Sequence, residues 1–180
     1  THLINRRTGI SVSERVRLVS EIGVSVEYLR KNRIGALIVI ERDTSLSEYI
    51  ERSKKIYAEI SNELLDAIFF PDNPLHDGGV IIQGDKISCA GAVFPTTVDM
   101  KFSKRLGTRH RAAIGISEES DCLAIIVSEE TGRVSLAIGG KLNYNLSVDE
   151  LKLMILDELM PKSETFVVES DEEDDIDEIN

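Results

Sequence analysis

The sequence predicts an α/β fold, a single domain with a central mixed β-sheet flanked by helices. Three observations carry this. Apolar residues recur at steps of three and four over residues 11–32, 61–70 and 147–160, the period of an amphipathic helix. Short continuous runs rich in Ile and Val, such as IGALIVIE and DCLAIIVS, lie between them and read as buried strands. The resulting order of helix, strands, helix, strands, helix suits helices packed on one mixed sheet, and 180 residues suffice for one sizeable core but not two.

Taken in order, residues 11–32 place Val12, Val16, Val19, Ile22, Val26 and Leu29 on one helical face, with Gly23 lowering intrinsic propensity. That face fits packing on its own domain or a seam between subunits. Residues 34–41 begin the core. The helix at 61–70 must stop at Pro71, and PDNPLHDGG that follows is dense in turn formers. VIIQGDKISCAGAVF predicts a hairpin turning at Gly84 and Asp85. Gly107 and Thr108 precede a helix through Ser117, with Thr108 as its N-cap. Residues 121–128 form a strand, and residues 129–132 turn into RVSLAIGG. Ser147 caps the last helix, with Asp149 and Glu150 in its first turn. The chain thus divides into an N-terminal segment with a connecting amphipathic helix at 1–32, a folded domain at 33–161, and an acidic tail at 162–180.

Composition narrows the function classes. The formal charge is −11, but eight acidic residues and no basic one fall within the final VVESDEEDDIDEIN, so the folded part is only mildly acidic and the tail is expected to be a solvated, disordered extension. With no basic stripe and no Trp, nucleic acid is excluded as a partner. No apolar run approaches the roughly 20 residues that span a bilayer, so the chain reads as a soluble, cytoplasmic domain. It opens on Thr1, which leaves room for a membrane anchor upstream. Cys89 and Cys122 sit in apolar runs and read as small buried hydrophobes of a reducing compartment, while His2, His76 and His110 are too scattered for a structural zinc.

Three loops carry chemistry. In LHDGG, residues 75–79, an imidazole beside a carboxylate offers a metal ligand or a base, and two glycines admit a sugar or phosphate to the backbone; Asp-Gly before a strand is also an ordinary turn. In GTRHR, residues 107–111, guanidinium groups at a helix start build a phosphate site, or else pair with surface carboxylates for at most about 1 kcal/mol each. Residues two apart on a helix diverge, so Arg109 and Arg111 should divide the work, one reaching a ligand and one bracing a carboxylate. In SEETG, residues 128–132, a strand ends in a hydroxyl and two carboxylates, which suits a divalent cation beside phosphates or a polar hairpin loop. A polyphosphate with a metal explains all three.

LHDGG, LGTRHRAA and IIVSEETG, in this order over residues 34–142, closely resemble the diadenylate cyclase domain, with its Asp-Gly-Ala and Arg-His-Arg signatures. The resemblance is to the membrane-anchored branch, whose connecting helix residues 11–32 would supply. It implies the diadenylate cyclase fold over 33–161 and the condensation of two ATP into cyclic di-AMP with release of two pyrophosphates. One ATP would be held per subunit across a face-to-face homodimer or within a higher homo-oligomer. It assigns Asp77 to the 3′-hydroxyl, Gly78 and Gly79 to the ribose, and Phe94 to the adenine. Gly107, Thr108, Arg109, His110 and Arg111 go to the triphosphate, with Arg109 and Arg111 counted as catalytic beside Asp77. Ser128 and Glu129 complete the phosphate side. His76 and Glu130 would hold a divalent metal, Mn2+ or Mg2+, with Co2+ as a further candidate. A membrane would be met only through a missing N-terminal region.

One departure is Gly79, where the family usually has Ala; activity is expected to survive with looser positioning. The rival expectations are a module of the same fold that binds ATP or cyclic di-AMP without turnover, and an interaction protein acting through its tail.

Overall fold

The computed structural model describes residues 10–99 and 106–160. The N-terminal segment before residue 10 and the acidic tail at 162–180 lie outside the described residues. Seven strands form one sheet: β1 (Ala36–Ile40), β2 (Lys54–Glu59), β3 (Gly79–Gln83), β4 (Lys86–Ala92), β5 (Leu123–Val127), β6 (Val134–Ile138) and β7 (Lys141–Leu146). Their order is β2-β4-β3-β1-β5-β6-β7, with β1 and β3 parallel and every other neighbouring pair antiparallel, so the sheet is mixed as expected. Five helices accompany it: α1 (Val12–Lys31), α2 (Ser47–Glu51), α3 (Asn62–Phe69), α4 (Thr108–Glu119) and α5 (Val148–Leu159).

Strand alternation sorts the core into two layers. Ala36, Ile38 and Ile40 of β1 face α1, α3 and α5, together with Val80, Ile82, Leu123 and Ile125. Leu37 and Val39 face the opposite way, into a second cluster with Ile81, Ala124, Ile126 and the α4 residues Ala113, Ile114 and Ile116. Because β1 and β5 are covered on both faces, their sequences are continuous apolar runs rather than alternating ones. Cys89 and Cys122 are free and buried in this second cluster, and burial pushes both thiols up, Cys122 to about 11.

The helix ends follow the capping residues. Ser11 with Glu14, and Ser147 with Glu150, form reciprocal capping boxes that start α1 and α5. Ser61 caps α3, which ends at Phe69 with Phe70 extended before Pro71. α1 packs along α3 and α5, which satisfies its apolar face within the domain. That face is shifted from the expected one: Leu18, Val19, Ile22, Val26 and Leu29 are buried, whereas Val12 and Val16 are about half exposed and Arg15 is the buried residue of the first turns.

Two regions went unassigned in the sequence. β2 and the short α2 occupy residues 47–59, and β7 follows β6. Both strands are sheet edges with no buried residue, so neither carries the apolar run by which a strand is recognised.

Candidate active site

α4 positions the basic motif. The N-cap is Gly107 rather than Thr108: the Arg111 N–H donates to the Gly107 carbonyl at 3.2 Å, which closes the first turn one residue earlier and makes Thr108 already helical. The helix also runs past Ser117 to Glu119. Among the described residues no side chain caps it, so its first-turn N–H groups keep the positive end of the dipole open to an anion.

That helix start and the SEETG turn enclose a cavity of about 170 Å3, lined by Gly107, Thr108, Arg109, His110, Ser128, Glu129 and Glu130, together with Leu106, Val127, Thr131 and Tyr144. Arg109 packs its guanidinium against Gly35, where a Cβ would displace it, and its Nη1 stands 3.6 Å from Glu129 Oε2. Arg109 therefore both lines the cavity and braces a carboxylate, two tasks the sequence divided between Arg109 and Arg111. Arg111 does not line this cavity, and among the described residues its buried Nε has no hydrogen-bond partner. His110 is 8% exposed, and its Nε2 likewise has no partner among the described residues. Desolvation, and then the Arg109 charge, hold its pKa below the ordinary value, so the ring is a neutral group with an unused polar atom. The Ser128 hydroxyl accepts from the N–H groups of Glu130 and Thr131, both at 3.3 Å, shaping the turn while keeping its own proton to donate.

The LHDGG loop lies at the start of β3. His76 Nδ1 donates to the Asn73 carbonyl oxygen 2.5 Å away, and its Nε2 stands 3.2 Å from Asp77 Oδ1. Two electron-rich atoms so placed suit a shared cation, and a histidine oriented through its other nitrogen is the usual metal-ligand arrangement. His76 and Asp77 thus fit a divalent metal. Glu130 lines the neighbouring cavity instead, and no cluster of three or more His, Cys, Asp or Glu side chains able to hold an ion occurs among the described residues. Asp77 is 88% exposed, its carboxylate directed away from its own core.

Gly78 has φ +77°, and a Cβ there would stand 2.5 Å from the Ala92 carbonyl oxygen. Gly79 is buried, and a Cβ on it would meet Phe94 Cε2 at 2.8 Å. The looser positioning expected at Gly79 is therefore not what the packing gives, because the Phe94 ring fills the space. Phe94 is itself held by a tilted contact with Tyr49 at 5.4 Å between ring centroids, and is 5% exposed.

Sheet register brings the loops together. Ile38 pairs with Val80, and Ala36 with Val127, so Gly35 stands between the Asp77–Gly78 end of β3 and Ser128 beyond β5. Neighbouring strands lie about 4.8 Å apart, which puts roughly 10 Å between the outer two. SEETG leaves the carboxyl end of β5 as expected, but the parallel pair β1 and β3 presents its amino ends here, the reverse of the usual α/β arrangement. The sequence reading missed Tyr144, Thr131 and Gly35. Thr131 lies within the SEETG motif and Gly35 opens an apolar run, whereas Tyr144 carried no recognisable signal.

Known proteins resemble this chain over most of its length. Residues 24–142 match the DAC family, described as "DisA bacterial checkpoint controller nucleotide-binding". A diadenylate cyclase of Listeria monocytogenes is 48% identical over 147 residues, 82% of this chain and 54% of that protein; the chain thus spans about half the length of that relative. The crystal structure of a double cysteine mutant of DacA from Staphylococcus aureus superposes with a TM-score of 0.78 at 46% identity, covering 81% of this chain and 97% of that one. A structure described as a hypothetical membrane spanning protein from Bacillus cereus gives a TM-score of 0.68 at 38% identity over 80% of this chain and 67% of that one. With the motif loops gathered at one sheet edge and this similarity across most of its length, the chain belongs to the DAC family of diadenylate cyclase domains.

Proposed function

We propose that the protein is a diadenylate cyclase that condenses two ATP into cyclic di-AMP and two pyrophosphates. The observation that carries this is the cavity in which an uncapped helix start, Arg109, an unpartnered His110 and the Ser128 hydroxyl converge, because all of them favour a phosphate chain. Asp77 stands beside it at the next strand but one, where a nucleotide laid along the sheet edge would carry its ribose. In the reaction the 3′-oxygen of one nucleotide bonds to the α-phosphorus of the other, the bond from that phosphorus to the bridging oxygen breaks, and pyrophosphate leaves with the electron pair. Asp77 takes the hydroxyl proton. Arg109, the α4 N-terminus and Ser128 neutralise and align the phosphates, the main requirement of phosphoryl transfer.

The described residues form one such cavity beside one Asp77, so the two nucleotides are supplied by two subunits meeting face to face. The 88% exposure of Asp77 supports this, since its carboxylate is open to a second nucleotide. His76 and Asp77 would hold a divalent cation, Mn2+, Mg2+ or Co2+, with Glu130 a further ligand toward the phosphates. The cation supplies charge neutralisation when bound. We assign the domain to the cytoplasm, tethered through a region upstream; the description of the Bacillus cereus relative as membrane spanning supports this, and no helix among the described residues is long and apolar enough to cross a membrane.

The test is incubation with ATP and Mn2+ and identification of the product. Wild-type protein should form cyclic di-AMP. Asp77→Asn should lower turnover by at least about 100-fold, the range expected of a proton acceptor, while ATP affinity stays within about twofold. Binding of ATP without product at any protein concentration would favour a non-catalytic module instead.

A further inference from the structure

The cavity has a wall that none of the three motif loops supplies. Tyr144, on β7, lines it beside Thr131, Glu130 and Arg109, with half of the residue exposed. Arg133, at the end of the SEETG turn, places Nη1 2.9 Å from the Tyr144 hydroxyl oxygen and its guanidinium carbon 5.7 Å from the ring centroid. An arginine can only donate, so the phenol oxygen is the acceptor in this bond, and among the described residues the phenol's own proton has no acceptor. A hydroxyl that accepts from a cation is also the better donor. The pair therefore gives a polarised O–H to a residue that lines an anion-binding cavity.

Its place along the sheet edge says which part of a ligand it meets. Asp77 lies by β3, the Arg109 guanidinium lies over Gly35 before β1, Ser128 follows β5, and Tyr144 lies two strands farther on β7. A nucleotide with its ribose at Asp77 runs its phosphates in this direction and ends at Tyr144. We propose that Tyr144 donates a hydrogen bond to the terminal phosphate of the bound nucleoside triphosphate, and that Arg133 is the positioning residue that holds the phenol for it. This rests on the reading of the cavity as an ATP site and adds to it a contact made by substrate and not by product, since cyclic di-AMP has no terminal phosphate.

The experiment measures affinities of wild type, Tyr144→Phe, Tyr144→Ala and Arg133→Ala for 3′-deoxy-ATP, which cannot react, for 3′-deoxy-AMP, and for cyclic di-AMP. Tyr144→Phe should weaken 3′-deoxy-ATP binding about tenfold, the effect of losing a hydrogen bond to a charged acceptor, and leave the other two ligands and the unfolding midpoint unchanged. Arg133→Ala should show the same selective pattern with a smaller loss. Unchanged triphosphate affinity in Tyr144→Phe, or equal losses for all three ligands, would overturn the proposal. So would loss of all three ligands in Tyr144→Ala with none in Tyr144→Phe, which is the signature of a ring stacked on the base. If wild type binds none of the three, the ATP reading of the cavity falls and this inference with it. If wild type binds all three and only the variants disappoint, the ATP reading stands.

Discussion

A methyl group at position 79 would sit 2.8 Å from Phe94 Cε2 and 3.2 Å from both Leu37 Cγ and the Leu37 carbonyl oxygen. The departure from the Ala usual in the resembling family thus has a partner in this chain, a large ring in the adjoining position. Gly79→Ala should cost about 1–3 kcal/mol of stability, the range for overpacking a filled core, and adding Phe94→Leu should return much of it; urea unfolding of the single and double variants measures both. His110 gives a second prediction at this scale. Its folded-state pKa lies below the ordinary 6.5, first through burial and then through Arg109. The unfolded chain therefore binds the proton first as pH falls, and the stability held above 6.5 is lost toward the lowered pKa. His110→Gln should flatten this part of the stability profile. The residue motifs were legible because LHDGG, GTRHR and SEETG are contiguous, whereas the division of labour between Arg109 and Arg111 was not, since it depends on Gly35 and Glu129 from other elements.

Elements matter because α1 reaches the site without lining it. Arg33, just past its end, donates from Nη1 to the Glu130 carbonyl at 3.3 Å, and Gly132, with φ +72°, passes so near the helix end that a Cβ would stand 2.5 Å from the Arg30 carbonyl oxygen. The SEETG turn is thus seated on the C-terminal end of α1. Gly132→Ala should destabilise by roughly 2–4 kcal/mol, combining a left-handed backbone penalty with the clash, and should weaken ATP binding as the turn shifts. Gly139→Ala is the control: φ is +57°, but nothing lies within 4 Å, so only the backbone penalty of about 1–2 kcal/mol applies and ATP affinity is kept. Helices with capping residues and the doubly covered strands could be read from the chain, since local pattern and burial agree there. The edge strands β2 and β7 could not, because exposed residues such as Lys54, Lys55 and Tyr144 alternate with too few apolar ones. That gap also hid the Tyr144 wall of the cavity.

At the scale of the whole molecule, one sheet edge gathers the amino ends of β1 and β3 and the carboxyl end of β5, and the site depends on that mixed topology. Sequence order alone names the three loops, but only strand register sets Asp77 and Ser128 on either side of Gly35. On the proposed reading a single chain holds one nucleotide and half of the reacting atoms, and turnover takes two copies. The most direct measurement is the rate of cyclic di-AMP formation from ATP and Mn2+ across a dilution series of the protein. Product formation that rises more steeply than protein concentration in the dilute range is the predicted result, and no cyclic di-AMP at any concentration would contradict it.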